Sequence, residues 1–146
     1  MEYIIDGDPK AQKRHRYRRT SGRIISYDPS KRDKQALAKQ LASSMTSTSK
    51  PLEMLKGPIR IMLRFYFRRP KSHYRQGKYS HLLKKTAPSS HTSTPDIDNL
   101  VKFVMDAGNK IVWKDDSQIE GVFASKTYTN SKRPRTEIEI WDPKND

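Results

Sequence analysis

The stretch Ile59-Arg60-Ile61-Met62-Leu63-Arg64-Phe65-Tyr66-Phe67 is the clearest structural signal in the chain. Every second residue in it is large and apolar, and two arginines stand between these residues. Side chains alternate between the two faces of a β-strand, so the pattern predicts a strand over the whole stretch. One face is expected to be buried, while Arg60 and Arg64 face either solvent or DNA.

Further strands are predicted on both sides of this stretch, where short apolar runs end in turn-forming residues. These strands are Glu2–Ile5, Arg23–Tyr27, Ile119–Tyr128 and Thr136–Trp141. With two helices the order becomes β(β)αβαββ, the bracketed strand being Arg23–Tyr27. This order predicts an α+β fold with a mixed or mostly antiparallel sheet. We expect a single small domain over residues 1–146.

Two segments have the periodicity of helices. In the first, Ser30 is the predicted N-cap, and apolar residues recur every four positions at Leu37, Leu41 and Met45. The Ser/Thr-rich residues 43–50 are predicted to end this helix and form a linker. In the second, the predicted buried stripe consists of Ile97, Leu100, Val101 and Val104. Gly108 is predicted to end the second helix.

The chain is strongly basic, with 30 Lys and Arg against 16 Asp and Glu and a net charge of +14. Such a charge favours a polyanionic partner, usually nucleic acid. An anionic membrane is the alternative, but we find neither a basic amphipathic helix nor a lipidation signal and predict no membrane partner. A basic surface without a specific partner remains a third interpretation. The absence of cysteine excludes disulfides and thiolate zinc sites. It also suits a cytoplasmic location, or a nuclear one in a eukaryotic host.

The charges are segregated along the chain. Residues 54–95 contain ten Lys and Arg but no acid, and a second basic cluster lies in residues 13–19. We predict two DNA-contacting basic loops, at about 10–23 and 68–94. The predicted DNA-binding residues are Lys13, Arg14, Arg16, Arg68, Arg69 and Lys71.

Six acids, by contrast, lie within residues 96–120. Acids near a DNA surface make electrostatic sense when they hold a cation, which predicts a metal-dependent phosphoryl-transfer site. The alternative is that these acids face away from the DNA.

Asp96 and Asp98 are the strongest candidates for metal ligands. Residues two apart in extended backbone point the same way, and Mg²⁺ prefers a few carboxylates plus waters. The alternative is that they cap the following helix. Lys102 is placed to contact a phosphate, but local sequence favours an ordinary ion pair with Asp98, four residues earlier. The pair Asp115-Asp116 supplies either a further ligand or a turn.

The run His91-Thr92-Ser93-Thr94-Pro95-Asp96-Ile97-Asp98-Asn99-Leu100-Val101-Lys102 resembles the signature of the RusA-type Holliday junction resolvases. Residues 104–107 and 113–119 continue that signature in order and spacing, and residues 68–72 resemble the entry to its basic loop. One departure is Gly108, which stands where the family usually has Leu and predicts an early end to the helix.

The resemblance implies a RusA-like fold and a role for individual residues. Asp96, Asp98 and Asp116 match the family's metal-binding catalytic aspartates, and Lys102 matches its essential lysine. The implied cofactor is Mg²⁺, with Mn²⁺ as a substitute. The implied protein is a homodimer that binds branched DNA and resolves four-way junctions by paired symmetric nicks. Two alternatives stay open: a nuclease of the same fold acting on flaps or forks, and a non-catalytic DNA-binding module.

Overall fold

A computed structural model describes residues 1–46 and 53–144 of the protein. The strands are β1 (Glu2–Asp6), β2 (Arg16–Thr20), β3 (Arg23–Tyr27), β4 (Ile59–Phe67), β5 (Ile119–Tyr128) and β6 (Arg135–Trp141). The helices are α1 (Lys31–Thr46) and α2 (Ile97–Gly108). Four strands form one sheet in the order β1-β6-β4-β5, while β2 and β3 form a separate two-stranded sheet. The predicted small α+β domain with a mixed sheet is therefore confirmed.

Strand β4 organises the core, as its alternating sequence predicts. Its five apolar residues at odd positions are all buried, while Arg60 and Arg64 lie on the opposite face. The buried face packs with Ile138 and Ile140 of β6 against both helices. Strand β4 pairs antiparallel with β6 and parallel with β5. A parallel pair needs a crossover, and α2 lies in the connection that provides it.

The buried stripe of α2 differs from the predicted one. Its buried residues are Leu100, Phe103, Val104, Ala107 and Gly108, whereas Ile97 is 40% exposed and Val101 is half-buried. Leu100, Phe103, Val104 and Ala107 also have the spacing i, i+3, i+4, i+7, so sequence periodicity allowed two neighbouring stripes. The stripe that contains the large Phe103 ring faces the core. The side with Ile97 and Val101 is left beside a surface cleft.

The first basic segment, residues 10–23, was predicted to be a mobile loop but contains strand β2. This strand pairs with β3 in register from Arg16–Tyr27 to Thr20–Arg23. The two residues between them, Ser21 and Gly22, have φ values of +48° and +79°. Positive φ at both positions is typical of the type I′ turns that close tight hairpins. The Arg-rich β2 lacks apolar alternation, so its sequence carries no strand signal.

The second basic segment, residues 68–94, has more structure than a flexible loop. Short 3₁₀ turns occupy Lys71–His73 and Gly77–Tyr79, and an isolated bridge joins Tyr74 to Leu83. Ser30 immediately precedes α1, as predicted, although its hydroxyl accepts the Lys13 backbone N–H. Of the Ser/Thr-rich residues 43–50, the first four belong to α1, while residues 47–50 and the Met45 side chain lie outside the described residues. None of the helices in residues 1–46 and 53–144 is both long and apolar enough to cross a membrane.

Candidate active site

Asp98, Lys102 and Asp116 line one open cleft of about 460 Å³. Asp98 and Lys102 lie one helical turn apart on the exposed side of α2, while Asp116 comes from the segment between α2 and β5. The apolar part of the wall includes Ile97, Val101 and Met105 of α2 and Val122 and Ala124 of β5. The structure therefore brings together three of the four residues predicted to be catalytic.

Asp96 stands at the N-cap position of α2, but its side chain makes no capping hydrogen bond. Its carboxylate is exposed and lines a neighbouring pocket with Lys13 and Asn99. Capping, the main alternative role for this residue, is thus not found. The carboxylate of Asp96 is left available for a partner outside the protein.

The adjacent acids Asp115 and Asp116 have different environments. The Asp115 carboxylate accepts the backbone N–H of Ser117, and the Gln118 side chain accepts the Asp115 N–H, forming a capping box. The hydrogen bonds from Ser117 hold the pKa of Asp115 below its usual value. Asp115 therefore fixes the local turn, while Asp116 faces the cleft.

Trp113 holds the Asp116 carboxylate in place. Its indole Nε1–H donates to Asp116 Oδ1 over 2.8 Å, and its side chain is 1% exposed. A buried indole nearly always needs such a hydrogen-bond partner, and here the partner is an acid of the cleft. One carboxylate oxygen is thereby oriented by the protein core.

Gly108 makes room for this tryptophan. A Cβ atom built on Gly108 would lie 2.7 Å from Trp113 Cζ2 and 2.8 Å from Cζ3, well inside van der Waals contact. The residue does not have positive φ, so its conformation does not require glycine. The predicted end of α2 at Gly108 is correct, but the glycine serves close packing rather than a left-handed helix cap.

Lys102 and Asp98 do not pair with each other. No hydrogen bond or ion pair is found for either side chain within residues 1–46 and 53–144, so the ordinary i, i+4 ion pair is absent there. Asp106, one turn further along the same face, is instead paired with Lys34 of α1 over 2.9 Å. Lys102 is thus a cation held beside two acids and available to an anionic ligand.

Lys34 also binds Asp28 at 2.6 Å, and both side chains are largely buried. Burial raises the pKa of Asp28, but hydrogen bonds from Lys34, Ser30 and Gln12 outweigh this and hold it at about 2. The same ion pairs raise the pKa of Lys34 against the effect of burial. This buried network ties the end of β3 to both helices.

The donor set of the cleft fits a hard divalent cation. Magnesium usually takes one or two protein carboxylates and completes its shell with waters and phosphate oxygens. Asp98 and Asp116 supply two carboxylates, and Asp96 lies nearby. Within the described ranges, no three His, Asp or Glu side chains converge closely enough to hold a metal unaided. The predicted three-aspartate ligand set stays a prediction.

Comparison with known proteins identifies the family. A family model described as "Endodeoxyribonuclease RusA" matches residues 6–141. The chain belongs to the RusA endodeoxyribonuclease family. It is 33% identical to the uncharacterized protein YqaN of Bacillus subtilis (strain 168), over 96% of this chain and 94% of that protein. It is 29% identical to the crossover junction endodeoxyribonuclease rusA of Lactococcus phage r1t, over 96% of this chain and 95% of the phage protein.

As a RusA-family member the protein is a nuclease that acts on DNA. The first predicted DNA-binding cluster lies close to its cleft. Lys13 and Arg14 line a pocket of about 320 Å³ that they share with Lys102 and Asp106. Arg16 begins the hairpin that follows them and is exposed. Arg68 and Lys71, in the second basic segment, are also exposed.

Arg69, also predicted to bind DNA, is only 8% exposed. Its guanidinium donates to the Pro88 carbonyl at 2.6 Å and to Asn130 Oδ1 at 3.0 Å. It also lies 5.5 Å from the centre of the Tyr128 ring. These contacts fix the second basic segment against β5, so we assign Arg69 a structural role in this RusA-family nuclease.

Sequence reasoning missed two residues that position the RusA-type acidic segment. The Lys126 ammonium group donates to the carbonyls of Ser93 and Pro95 at 2.6 and 2.7 Å, directly before Asp96. The backbone N–H of Gln12 donates to the Asn99 carbonyl at 2.9 Å. Both contacts are to backbone atoms, which no side-chain pattern in the sequence reveals.

Proposed function

We propose that the protein is a magnesium-dependent endonuclease that resolves four-way DNA junctions by paired symmetric nicks. The observation that carries the proposal is the convergence of Asp98, Lys102 and Asp116 in one cleft bordered by basic residues. The phage relative, called a crossover junction endodeoxyribonuclease, supports the choice of substrate. A pure DNA-binding module would gain nothing from acids on its DNA-facing side.

Asp98 and Asp116, with Asp96 beside them, would hold the cation, and Mn²⁺ is expected to substitute for Mg²⁺. When bound, the metal would activate a water molecule for attack on phosphorus and stabilise the leaving oxygen. Lys102 would bind the scissile phosphate and offset the negative charge that develops in the transition state. Trp113 would keep Asp116 oriented throughout, so that little reorganisation is needed at the moment of reaction.

Paired nicks on a two-fold symmetric junction call for two sites related by a two-fold axis, and we propose a homodimer. The supporting surface is the face of the sheet opposite α1 and α2, where Met62, Tyr66, Phe123 and Trp141 lie among paired charges. Phe123 is 59% exposed, and the charges nearby include Arg64 paired with Glu139 at 3.2 Å. A locally balanced, partly apolar face suits contact between copies of a basic protein.

Sedimentation over a range of concentrations tests the homodimer. Phe123→Glu is expected to shift the protein towards monomer, because it places a charge in the apolar part of the face. A wild-type protein that stays monomeric at the concentration used for cleavage would contradict the proposal.

The central experiment is Asp98→Asn, which removes a ligand charge while keeping the size of the side chain. Junction binding is expected to persist, while magnesium-dependent cleavage falls to background. Asp8→Asn is the matched control, because Asp8 is exposed and lies in the β1–β2 connection. If Asp98→Asn cut at the wild-type rate, the assignment of the metal site would be wrong.

Substrate choice is tested separately with four-way junction, fork, flap and linear duplex at equal concentration. Faster cutting of the junction, with nicks in two opposed strands, is the expected result. A preference for flaps or forks would favour the alternative nuclease of the same fold. Equal cutting of linear duplex would exclude a resolvase.

A further inference from the structure

The β2–β3 hairpin is almost entirely exposed. All ten strand side chains are exposed apart from Thr20, which is half-buried. Within the part of the chain that the structure describes, its two strands pair only with each other. With five residues in each strand, the hairpin extends roughly 17 Å. An isolated two-stranded hairpin is marginally stable in water, so this one is expected to have a partner.

The exposed residues include large apolar ones on both faces. Tyr17 is 74% exposed, Ile24 68%, Ile25 51% and Tyr27 44%. The register pairs Tyr17 with Ser26 and Arg18 with Ile25, so Ile24 and Ile25 point to opposite faces. A flat docking surface would cover only one face. Apolar side chains on both faces suit insertion between two surfaces.

The charge of the hairpin selects the partner. No acid occurs in residues 9–27, which contain the seven cations Lys10, Lys13, Arg14, Arg16, Arg18, Arg19 and Arg23. Docking onto a second copy of this basic chain would bring like charges together, which is costly. Nucleic acid offers both phosphates for the arginines and apolar base faces for the isoleucines.

The base of the hairpin is fixed beside the cleft. Gln12 N–H donates to the carbonyl of Asn99 in α2, and Gln12 Nε2 donates to Asp28 Oδ1, both over 2.9 Å. Lys13 N–H donates to Ser30 Oγ at 2.9 Å. These hydrogen bonds anchor the base of the hairpin to Asn99, the residue next to Asp98. The position of the hairpin is therefore fixed relative to the cleft.

We propose that the β2–β3 hairpin inserts into the branch point of the DNA substrate, where Ile24 and Ile25 contact unstacked bases and the arginines contact phosphates. This inference rests on the proposed function, because it names the part of the branched substrate that the enzyme reads. Linear duplex has no open branch point, so the apolar contact adds affinity only for branched DNA. The hairpin thereby favours binding to branched DNA over binding to linear duplex.

The test compares Ile24→Thr/Ile25→Thr with the matched control Ile24→Val/Ile25→Val. Thr and Val have the same shape and β-branching, so the two variants differ only in polarity. Affinity is measured without divalent cations for a four-way junction and a linear duplex. The Thr variant is expected to bind the junction about tenfold more weakly than the Val variant, because a hydroxyl group is buried against a base. Affinity for duplex should be the same for both.

A 2-aminopurine base at the branch point gives an independent readout. Its fluorescence should rise when the wild type or the Val variant binds, and rise less with the Thr variant at saturation. Equal junction affinity and equal fluorescence for the two variants would overturn the inference while leaving the nuclease assignment intact. A wild-type protein that binds junction and duplex equally would instead overturn the proposed function and, with it, the branch-point contact.

Binding to anionic phosphatidylserine vesicles is measured last, to test a membrane surface as the alternative partner of the hairpin. Binding to vesicles that is tighter than binding to the junction, and that is lost in the Thr variant, would assign the hairpin to a membrane surface and overturn the inference. Vesicle binding that is weaker than junction binding and equal in both variants supports it.

Discussion

Gly108→Ala should destabilise the protein, although alanine is the better helix former. Replacing Gly by Ala inside a helix is usually worth about 0.8–1.0 kcal/mol. Here the new methyl group would meet Trp113 Cζ2 and Cζ3 at 2.7 and 2.8 Å. Ordinary carbon contacts lie at about 3.5–4.0 Å, so the indole must move by roughly 1 Å.

That movement has two costs. Overpacking of a close-packed site costs about 1–3 kcal/mol. The indole N–H now lies 2.8 Å from Asp116 Oδ1, and a shift of roughly 1 Å would break this bond. A hydrogen bond to a charged group is worth about 1.5–3 kcal/mol. The sum outweighs the gain in helix propensity, and we expect a net loss of about 1.5–5 kcal/mol. Displacement of Asp116 should also slow cleavage by about 10- to 100-fold.

Urea denaturation followed by circular dichroism at fixed protein concentration measures the change. Trp113→Phe supplies the control background, because phenylalanine lacks the outer ring atoms that the new methyl group meets. In that background Gly108→Ala should be neutral or stabilising by up to about 1 kcal/mol, the ordinary helix-propensity effect. Cleavage should stay slow in the double variant, since the indole N–H is missing. A stabilising Gly108→Ala in the wild-type background would refute the proposed packing of Trp113.

Three further predictions concern the ion pair of Asp28 with Lys34, the buried Arg69 and the basic surface. The stability that Asp28 contributes should be complete above about pH 4 and fall as the pH drops towards its folded pKa of about 2. Lys34→Met should remove most of this acid-side dependence in a titration of the melting temperature. Arg69→Met should destabilise the fold by about 1–3 kcal/mol, whereas the exposed Arg68→Met should change stability by less than about 0.5 kcal/mol and weaken DNA binding. Junction affinity should fall steeply with salt, by about 0.9 logarithmic units per decade for each phosphate neutralised, and a flat response would contradict the basic surface.

The regular strands could be predicted from the sequence because their patterns encode burial directly. Ile59–Phe67 and Ile119–Tyr128 have the predicted bounds. β2 was missed because three of its five residues are arginines and because, among the described residues, it pairs only with β3. In this hairpin the turn residues, rather than an apolar face, decide the structure. Ser21-Gly22 was the available signal, since a Ser-Gly dipeptide marks a turn.

Charge predicted the kind of ligand but not the role of each charged residue. Arg68 and Arg69 are indistinguishable by composition, yet one is exposed and the other is only 8% exposed, with its guanidinium bound to Pro88 and Asn130. This difference in exposure follows from the alternation of side chains along a strand, because Arg69 continues the buried odd-numbered face of β4 past Phe67. Extending the alternation by two residues would have predicted its burial.

The choice between Asp115 and Asp116 depends on a contact that local sequence does not determine. Each acid suits a turn equally well, and family resemblance alone favoured Asp116. In the folded chain, Ser117 and Gln118 engage Asp115, while the buried indole of Trp113 binds Asp116. That indole can reach its position only because residue 108 has no side chain. The departure at Gly108 and the placement of Asp116 therefore have one physical cause, the close packing of Trp113 against residue 108.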